Sequence, residues 1–205
     1  MSKKLKLFLG ISYLLILFIF LYFIFSKIEI DRLNDFSYYK EIQFNIDSFV
    51  GDKLYINLLV FFLFTLIWIS LLGFGSPLLI ISGILFGKWI GTIVSVLSIT
   101  LGALLLYTIT NFFFKDLVKK ILERKFLKYI ELFKKNEFFY FFIFRLSGGL
   151  GIPFPLQNTL PVIFNMKKIN FFFASLLGFI PGFFIFNNIC FGINKFIKES
   201  DNFIF

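Results

Sequence analysis

The chain is a series of long apolar runs, cut by short interruptions that are either charged or built from glycine and proline. After the basic start MSKKLK, residues 7–25 are almost unbroken apolar; as a helix they would measure about 28 Å, enough to cross a bilayer. Further runs cover residues 54–72, 77–86, 89–114, 138–146, 155–164 and 171–193. Three of these, 54–72, 89–114 and 171–193, have the length of a membrane-crossing helix. Residues 77–86 and 155–164 do not: each would be only about 15 Å long, roughly half the hydrocarbon thickness.

An internal repeat accounts for this pair. Residues 61–86 lie over 139–164 without a gap at an offset of 78, matching Phe61 with Phe139, Leu72 with Leu150, Gly73 with Gly151, Pro77 with Pro155 and Phe86 with Phe164. In so Phe- and Leu-rich a chain the apolar matches carry little weight. The glycine and proline matches carry more, because each pair places a helix breaker between a descending apolar arm and a short returning one. Each copy predicts a helix, a break and a half-helix. The breaks are expected at Gly73, Gly75 and Pro77 in the first copy, and at Gly148, Gly149, Gly151, Pro153, Pro155 and Pro161 in the second. Unpaired backbone groups in hydrocarbon cost several kcal/mol each, so such breaks must face protein or a wet cavity. The expected architecture is therefore an all-α polytopic membrane protein, an inverted repeat of two re-entrant helical hairpins plus transmembrane helices.

Its parts are a retained transmembrane anchor at 1–26, an outward-facing linker or surface helix at 27–53, and a membrane domain at 54–193, followed by a short tail at 194–205. Within the domain lie hairpin 1 (54–87), a transmembrane helix (89–114), an inner amphipathic loop (115–137), hairpin 2 (138–165) and a transmembrane helix (169–193). A signal peptide is the alternative for the start, but the run is long and no small-residue cleavage pattern follows it. Charge agrees with an N-terminus inside. The inner segments 1–6, 115–137 and 165–170 hold thirteen Lys/Arg against four Asp/Glu, and the outer ones seven against eight, in line with the positive-inside rule. Six spans without re-entrant loops would bury Arg145 in a span and put Lys167 and Lys168 outside.

Composition supports the membrane assignment: 59% of the 205 residues are hydrophobic and only 16% charged, more apolar surface than one soluble core of this size hides. With no histidine and one cysteine, Cys190, neither a disulfide framework nor a Cys/His metal site is available, and no metal or cofactor is expected. The 36 phenylalanines, beside abundant Ile, Lys and Asn, read as the signature of an AT-rich genome and receive no functional weight. In the inner loop, Lys120, Arg124 and Lys128 follow one another at i, i+4, where like charges repel. An anionic membrane surface would relieve that repulsion, making Lys119, Lys120, Arg124 and Lys128 candidate lipid contacts; a plain topology signal on an exposed helix explains them equally well.

The candidate site is the second break. A half-helix starting at Pro155 leaves unpaired N–H groups at its N-terminus, and Ser76 ahead of Pro77 would cap the matching terminus of the first hairpin. Arg145, always protonated, adds a fork of donors suited to phosphate or carboxylate, with Gln157 and Asn158 beside it. A charge inside a membrane segment is functional by default. The competing readings are that Arg145 snorkels to the inner surface and that Gln157 and Asn158 only cap broken backbone.

The ordered set from Pro77 through Gly83 to Gly87, then Gly91, Gly102, Arg145-Leu146, Pro153-Phe154, Asn158, Phe171 to Phe173, Gly178 and Pro181 resembles the VTT domain of the DedA and SNARE-associated Golgi protein superfamily, over roughly residues 54–193. The resemblance implies two opposed re-entrant hairpins, a hairpin arginine at Arg145, and a role in phospholipid scrambling, polyprenyl phosphate movement or membrane homeostasis. Many members carry acidic residues in the first hairpin, thought to couple movement to protons; here none occurs between Asp52 and Asp116. The proline often found soon after the arginine is replaced by Ser147-Gly148-Gly149.

The expected function is movement or scrambling of lipids or lipid-phosphates, with membrane lipids, anionic phospholipid or polyprenyl phosphate, as partners and no nucleic acid. A non-transporting membrane-organisation or assembly factor is the alternative. An enzyme is not expected, since no Ser/His/Asp, Cys/His or paired-carboxylate constellation is present. The expected location is a bacterial inner membrane with a cytoplasmic N-terminus.

Overall fold

Seven helices follow one another without a strand among the described residues of a computed structural model. The structure describes residues 53–71 and 73–200, together with Ile11, Ser12, Leu15, Ile19 and Tyr22; the side chains of 122–129, 132, 134 and 197–200 are outside that description. The helices are α1 (Leu54–Ser70), α2 (Ser76–Phe113), α3 (Lys115–Lys135), α4 (Glu137–Leu146), α5 (Phe154–Thr159), α6 (Pro161–Phe164) and α7 (Lys168–Ser200). Contacts divide the chain at residue 59 into an N-terminal unit and a unit from Val60 onward. In the first, the anchor and linker expected at 1–26 and 27–53 lie almost wholly outside the described residues; Ile11, Leu15, Ile19 and Tyr22 are helical and exposed.

Within the second unit the chain doubles back twice. The first reversal follows α1. Its last turn is closed by Leu71 and Gly73, whose N–H groups donate to the Ile67 and Trp68 carbonyls, while the Trp68 indole N–H donates to the Phe74 carbonyl at 2.9 Å. Gly73 is required here, since a Cβ would fall 2.2 Å from the indole. The returning limb runs until the rings of Phe61 and Phe86 meet edge to face, centroids 5.4 Å apart. At Gly87 the backbone leaves the helix (φ 71, ψ −173), a conformation open essentially to glycine alone, and helix resumes to Phe113. α2 is thus a half-helix and a long helix joined at a glycine break.

The second reversal joins α4 to α5. Gly148, Gly149, Leu150 and Gly151 all have positive φ, between 53° and 78°, giving a left-handed turn that three glycines make accessible. Pro153 precedes α5, and Pro161 opens α6 after Leu160, so the returning half-helix is itself divided. Its far end comes back beside its start: the Glu137 carboxylate accepts from the Lys167 backbone N–H and from Asn170 Nδ2.

α2 and α7 pack along much of their length. A small residue lets them approach, since a Cβ on Gly83 would sit 2.8 Å from that of Cys190 and 3.0 Å from the Asn187 carbonyl; Gly91 serves the fold of α2 itself, where a Cβ would sit 2.6 Å from the Ser82 carbonyl across the Gly87 break. Buried polar groups join the helices, with Ser82 Oγ donating to Asn187 Oδ1 at 2.8 Å and Asn187 Nδ2 donating to Thr92 Oγ1 at 3.3 Å, while Ser95 Oγ donates to Ser82 Oγ at 2.8 Å within α2. Close approach through glycine plus interhelical hydrogen bonds is how helices associate in lipid, where apolar burial supplies no preference. An aromatic ladder continues the core, Tyr107 stacking on Phe171 and Phe171 on Phe141.

Two helices among the described residues are long and apolar enough to cross a membrane, Ser76–Phe113 and Lys168–Phe196. Large apolar side chains such as Ile93, Trp89, Ile185 and Phe196 stand 55% exposed or more, far beyond what a soluble monomer normally presents. This is a helical membrane protein. Helix α7 passes the expected end at residue 193 and reaches Ser200, because the polar sequence after Ile193 contains no breaker and Lys and Glu favour helix.

Candidate functional site

Arg145 sits in the last turn of α4 with 2% of its surface exposed. It does not snorkel. The half-helix opposite puts Gln157 and Asn158 on its inner face, and α7 brings Ser175 from the other side. The guanidinium donates from Nε to Ser175 Oγ at 3.2 Å, from Nη1 to Gln157 Oε1 at 3.0 Å and from Nη2 to Asn158 Oδ1 at 2.5 Å. Three of its five N–H groups are thereby engaged by neutral oxygens.

Gln157 works in two directions. While its Oε1 accepts from Arg145, its Nε2 donates to the carbonyls of Ile152 (2.7 Å) and Gly148 (3.3 Å), tying the left-handed turn to the arginine. Gly149 is part of the same fit, since a Cβ there would lie 2.1 Å from the Gln157 amide. Gly178 of α7 lets the two segments close, as a Cβ on it would be 2.6 Å from Arg145 Cβ.

No carboxylate pairs with Arg145 among the described residues; between Glu137 and Glu199 the sequence contains no acidic residue at all. Its charge is offset instead by ring faces. Phe141 and Phe179 lie 4.8 Å from Cζ, Phe171 5.5 Å and Phe154 5.8 Å, contacts worth roughly 2 kcal/mol when desolvated. Here the phenylalanines, given no functional weight from composition, need correction: four of the 36 cage the arginine, because folding collects on one cation rings spread from 141 to 179. A cation held only by neutral dipoles and π-faces lacks an anion. Beside it the Asn158 Nδ2 group is buried without a hydrogen-bond partner.

A cavity of about 130 Å³ opens on this centre, lined by Arg145, Gly148, Phe154 and Gln157 on one side and by Gly178, Phe179, Gly182 and Phe183 on the other. With Arg145 and Gln157 as floor and aromatic rings as walls, its chemistry suits one small anion.

The VTT domain family model matches residues 69–190. The chain belongs to the VTT domain family. No solved structure matches it. The matched span includes both reversals of the VTT domain and every partner of Arg145.

Of the other sequence-predicted positions, Gly75 lies where the two reversals approach each other: a Cβ on it would be 3.8 Å from the Phe154 ring and 3.9 Å from Ile99 Cδ1. Ser76 is corrected. Gly75 precedes the helix in right-handed conformation, Ser76 becomes its first residue, and no side-chain cap forms; it is exposed and lines no part of the Arg145 cavity. Pro155 is the second residue of α5, not the first. On α3, Lys119 is half-buried and Lys120 exposed, whereas the Arg124 and Lys128 side chains lie outside the described residues. Ser175 and the phenylalanine cage were missed: a lone serine in an apolar helix carries no spacing signal, and only the small pair Ala174-Ser175 hints at close packing.

Proposed function

We propose that this VTT-domain protein moves or scrambles lipids or lipid-phosphates across the bilayer, using Arg145 to receive the anionic group. The observation that carries the reading is the buried, counter-ion-free guanidinium with two N–H groups left over, beside the unpartnered Asn158 amide. Burying such a charge costs several kcal/mol; an anion that arrives with the substrate repays it. The two reversals are re-entrant hairpins entering from opposite faces as an inverted repeat, their tips meeting where Gly75 faces Phe154. Acyl or prenyl tails stay in the surrounding lipid, and no chemical step is involved. The setting is a bacterial inner membrane with the N-terminus in the cytoplasm.

The test is leaflet exchange in liposomes carrying labelled phospholipid or polyprenyl phosphate. Each charge-assisted hydrogen bond contributes about 1.5–3 kcal/mol, so losing two slows exchange at least about a hundredfold in Arg145→Ala. Equal rates for the variant and the wild type refute the reading. Topology is tested by cysteine labelling in a Cys190→Ser background: positions 74 and 152 should be reached from opposite faces, and labelling of both from one face excludes the inverted repeat.

A second reading, a non-transporting factor that organises anionic lipid, is favoured by the amphipathic basic helix α3, where Lys120 is exposed and the Phe133 ring stacks on Phe164 at 4.1 Å. It requires that neutralising Lys119, Lys120, Arg124 and Lys128 harms function more than changing Arg145.

A further inference from the structure

We infer that the Arg145 cavity is loaded sideways from the bilayer past Gly182, and that this glycine sets the size of the anionic head admitted. The inference rests on the lipid-transport reading and adds to it an entrance and a specificity-determining residue.

Two glycines one helical turn apart line the cavity from α7, and they serve different ends. Gly178 is buried and is occupied by packing, with Arg145 Cβ, the Phe142 carbonyl and the Leu146 N–H within 3.3 Å of where its Cβ would be. Gly182 has no such reason. A Cβ added there meets no heavy atom within 4 Å, and the residue is exposed. Glycine inside a helix costs about 1 kcal/mol relative to alanine, and no neighbour at this position demands it. What the missing side chain leaves is an opening in the cavity wall.

The opening faces an apolar surround. Leu146, across the cavity, is 46% exposed, and the flanking rings of Phe179 and Phe183 are stacked with centroids 4.7 Å apart. Inward from this rim the lining turns polar at Arg145 and Gln157. An amphiphile fits that gradient: its anion reaches the guanidinium while its chain leaves between Gly182 and the rings into the hydrocarbon. Size then follows from volume. A space of about 130 Å³ is several times the ~10–15 Å³ that holds one water. It admits one phosphate or carboxylate group on a chain, whereas a further glycerol or sugar would have to stand in the rim at Gly182.

The experiment measures binding to the full-length protein in neutral phosphatidylcholine nanodiscs, using three probes: a long-chain alkyl phosphate, inorganic phosphate and phosphatidylglycerol. The alkyl phosphate should bind best, with inorganic phosphate at least about tenfold weaker for want of a chain and phosphatidylglycerol at least about tenfold weaker for its larger head. Gly182→Leu should lose at least about tenfold in alkyl phosphate affinity while its melting temperature without ligand stays at or above that of the wild type. Gly192→Leu, on the same helix with equally free space for a Cβ, should bind as the wild type does. Equal binding of phosphatidylglycerol and alkyl phosphate, inorganic phosphate as tight as either, or an unaffected Gly182→Leu overturns the inference. Arg145→Ala separates the two levels. If it abolishes alkyl phosphate binding while Gly182→Leu does not, the portal alone is wrong; if it leaves binding intact, the transport reading fails as well.

Discussion

Gly149→Ala is the sharpest probe of how the turn and the arginine depend on each other. Two costs apply at this position and can be separated. The first is backbone: φ is +78°, and an L-residue in the left-handed region costs about 1–2 kcal/mol. The second is steric, because the new Cβ would stand 2.1 Å from the Gln157 amide carbon and nitrogen. Gln157 must move, and it then loses its bonds to the Gly148 and Ile152 carbonyls and the one it accepts from Arg145. At about 1 kcal/mol for each neutral bond and 1.5–3 for the charged one, the steric part comes to about 3.5–5 kcal/mol if all three are lost, and about 2–4 if Gln157 keeps one. Gly151→Ala is the matched control, with φ +76° and open space around a Cβ. It pays the backbone cost alone.

Equilibrium unfolding in mixed detergent micelles should therefore place Gly149→Ala at least about 2 kcal/mol below Gly151→Ala. A double-mutant cycle sharpens the test, since Gln157→Ala removes the clash along with the bonds. The double variant Gly149→Ala/Gln157→Ala should be more stable than the sum of the single changes predicts, by about 2 kcal/mol or more. Equal losses for the two glycine variants, or additivity in the cycle within about 0.5 kcal/mol, would show that Gln157 is not held against Gly149 and that the turn does not fix the arginine.

Further consequences can be measured alongside. Asn187→Leu breaks the Ser82–Asn187–Thr92 chain between α2 and α7 and should cost about 0.6–2 kcal/mol in the same unfolding assay; no loss would mean that the helices are held by packing alone. Gly87→Ala forces a side chain into backbone at φ 71, ψ −173, at a cost of about 1–3 kcal/mol, and unchanged stability would show that the α2 break is not fixed there. Because no acidic residue occurs between Asp52 and Asp116 or between Glu137 and Glu199, leaflet exchange should be indifferent to an imposed pH gradient, and a rate that follows the gradient in direction would contradict this.

The sequence exposed the features that breakers and charge control. Gly73, the Gly148–Gly151 turn and Pro161 all fall where helices end or divide, because backbone freedom and a missing N–H act locally and need no tertiary partner. Arg145 stood out for the same kind of reason, as one charge among apolar residues. Its partners divide by distance along the chain. Gln157 and Asn158, twelve and thirteen residues away, belong to the same reversal and were legible beside it, whereas Ser175, thirty residues away on α7, was not. Ser76 shows the opposite failure, a local rule overridden when Gly75 stayed right-handed and drew the serine into the helix.

The contrast between the two reversals bears on mechanism. Both use glycine to turn and both return half-helices, yet the first is stabilised by a self-satisfied network of Ser82, Ser95, Thr92 and Asn187, and the second is built around a cation without an anion. A satisfied network has nothing further to bind and favours rigidity, while an unpaired buried charge is a standing cost that only a ligand removes. On the proposed lipid-transport reading, the first half-helix, packed against the rest of α2 and α7, would serve as the fixed wall, and the Arg145 reversal would carry the polar groups that meet the substrate. If substrate binding raises protection from hydrogen exchange at residues 144–158 and leaves 78–95 unchanged, the asymmetry is functional; matching changes in both segments would mean that the reversals act as equivalents despite their chemistry.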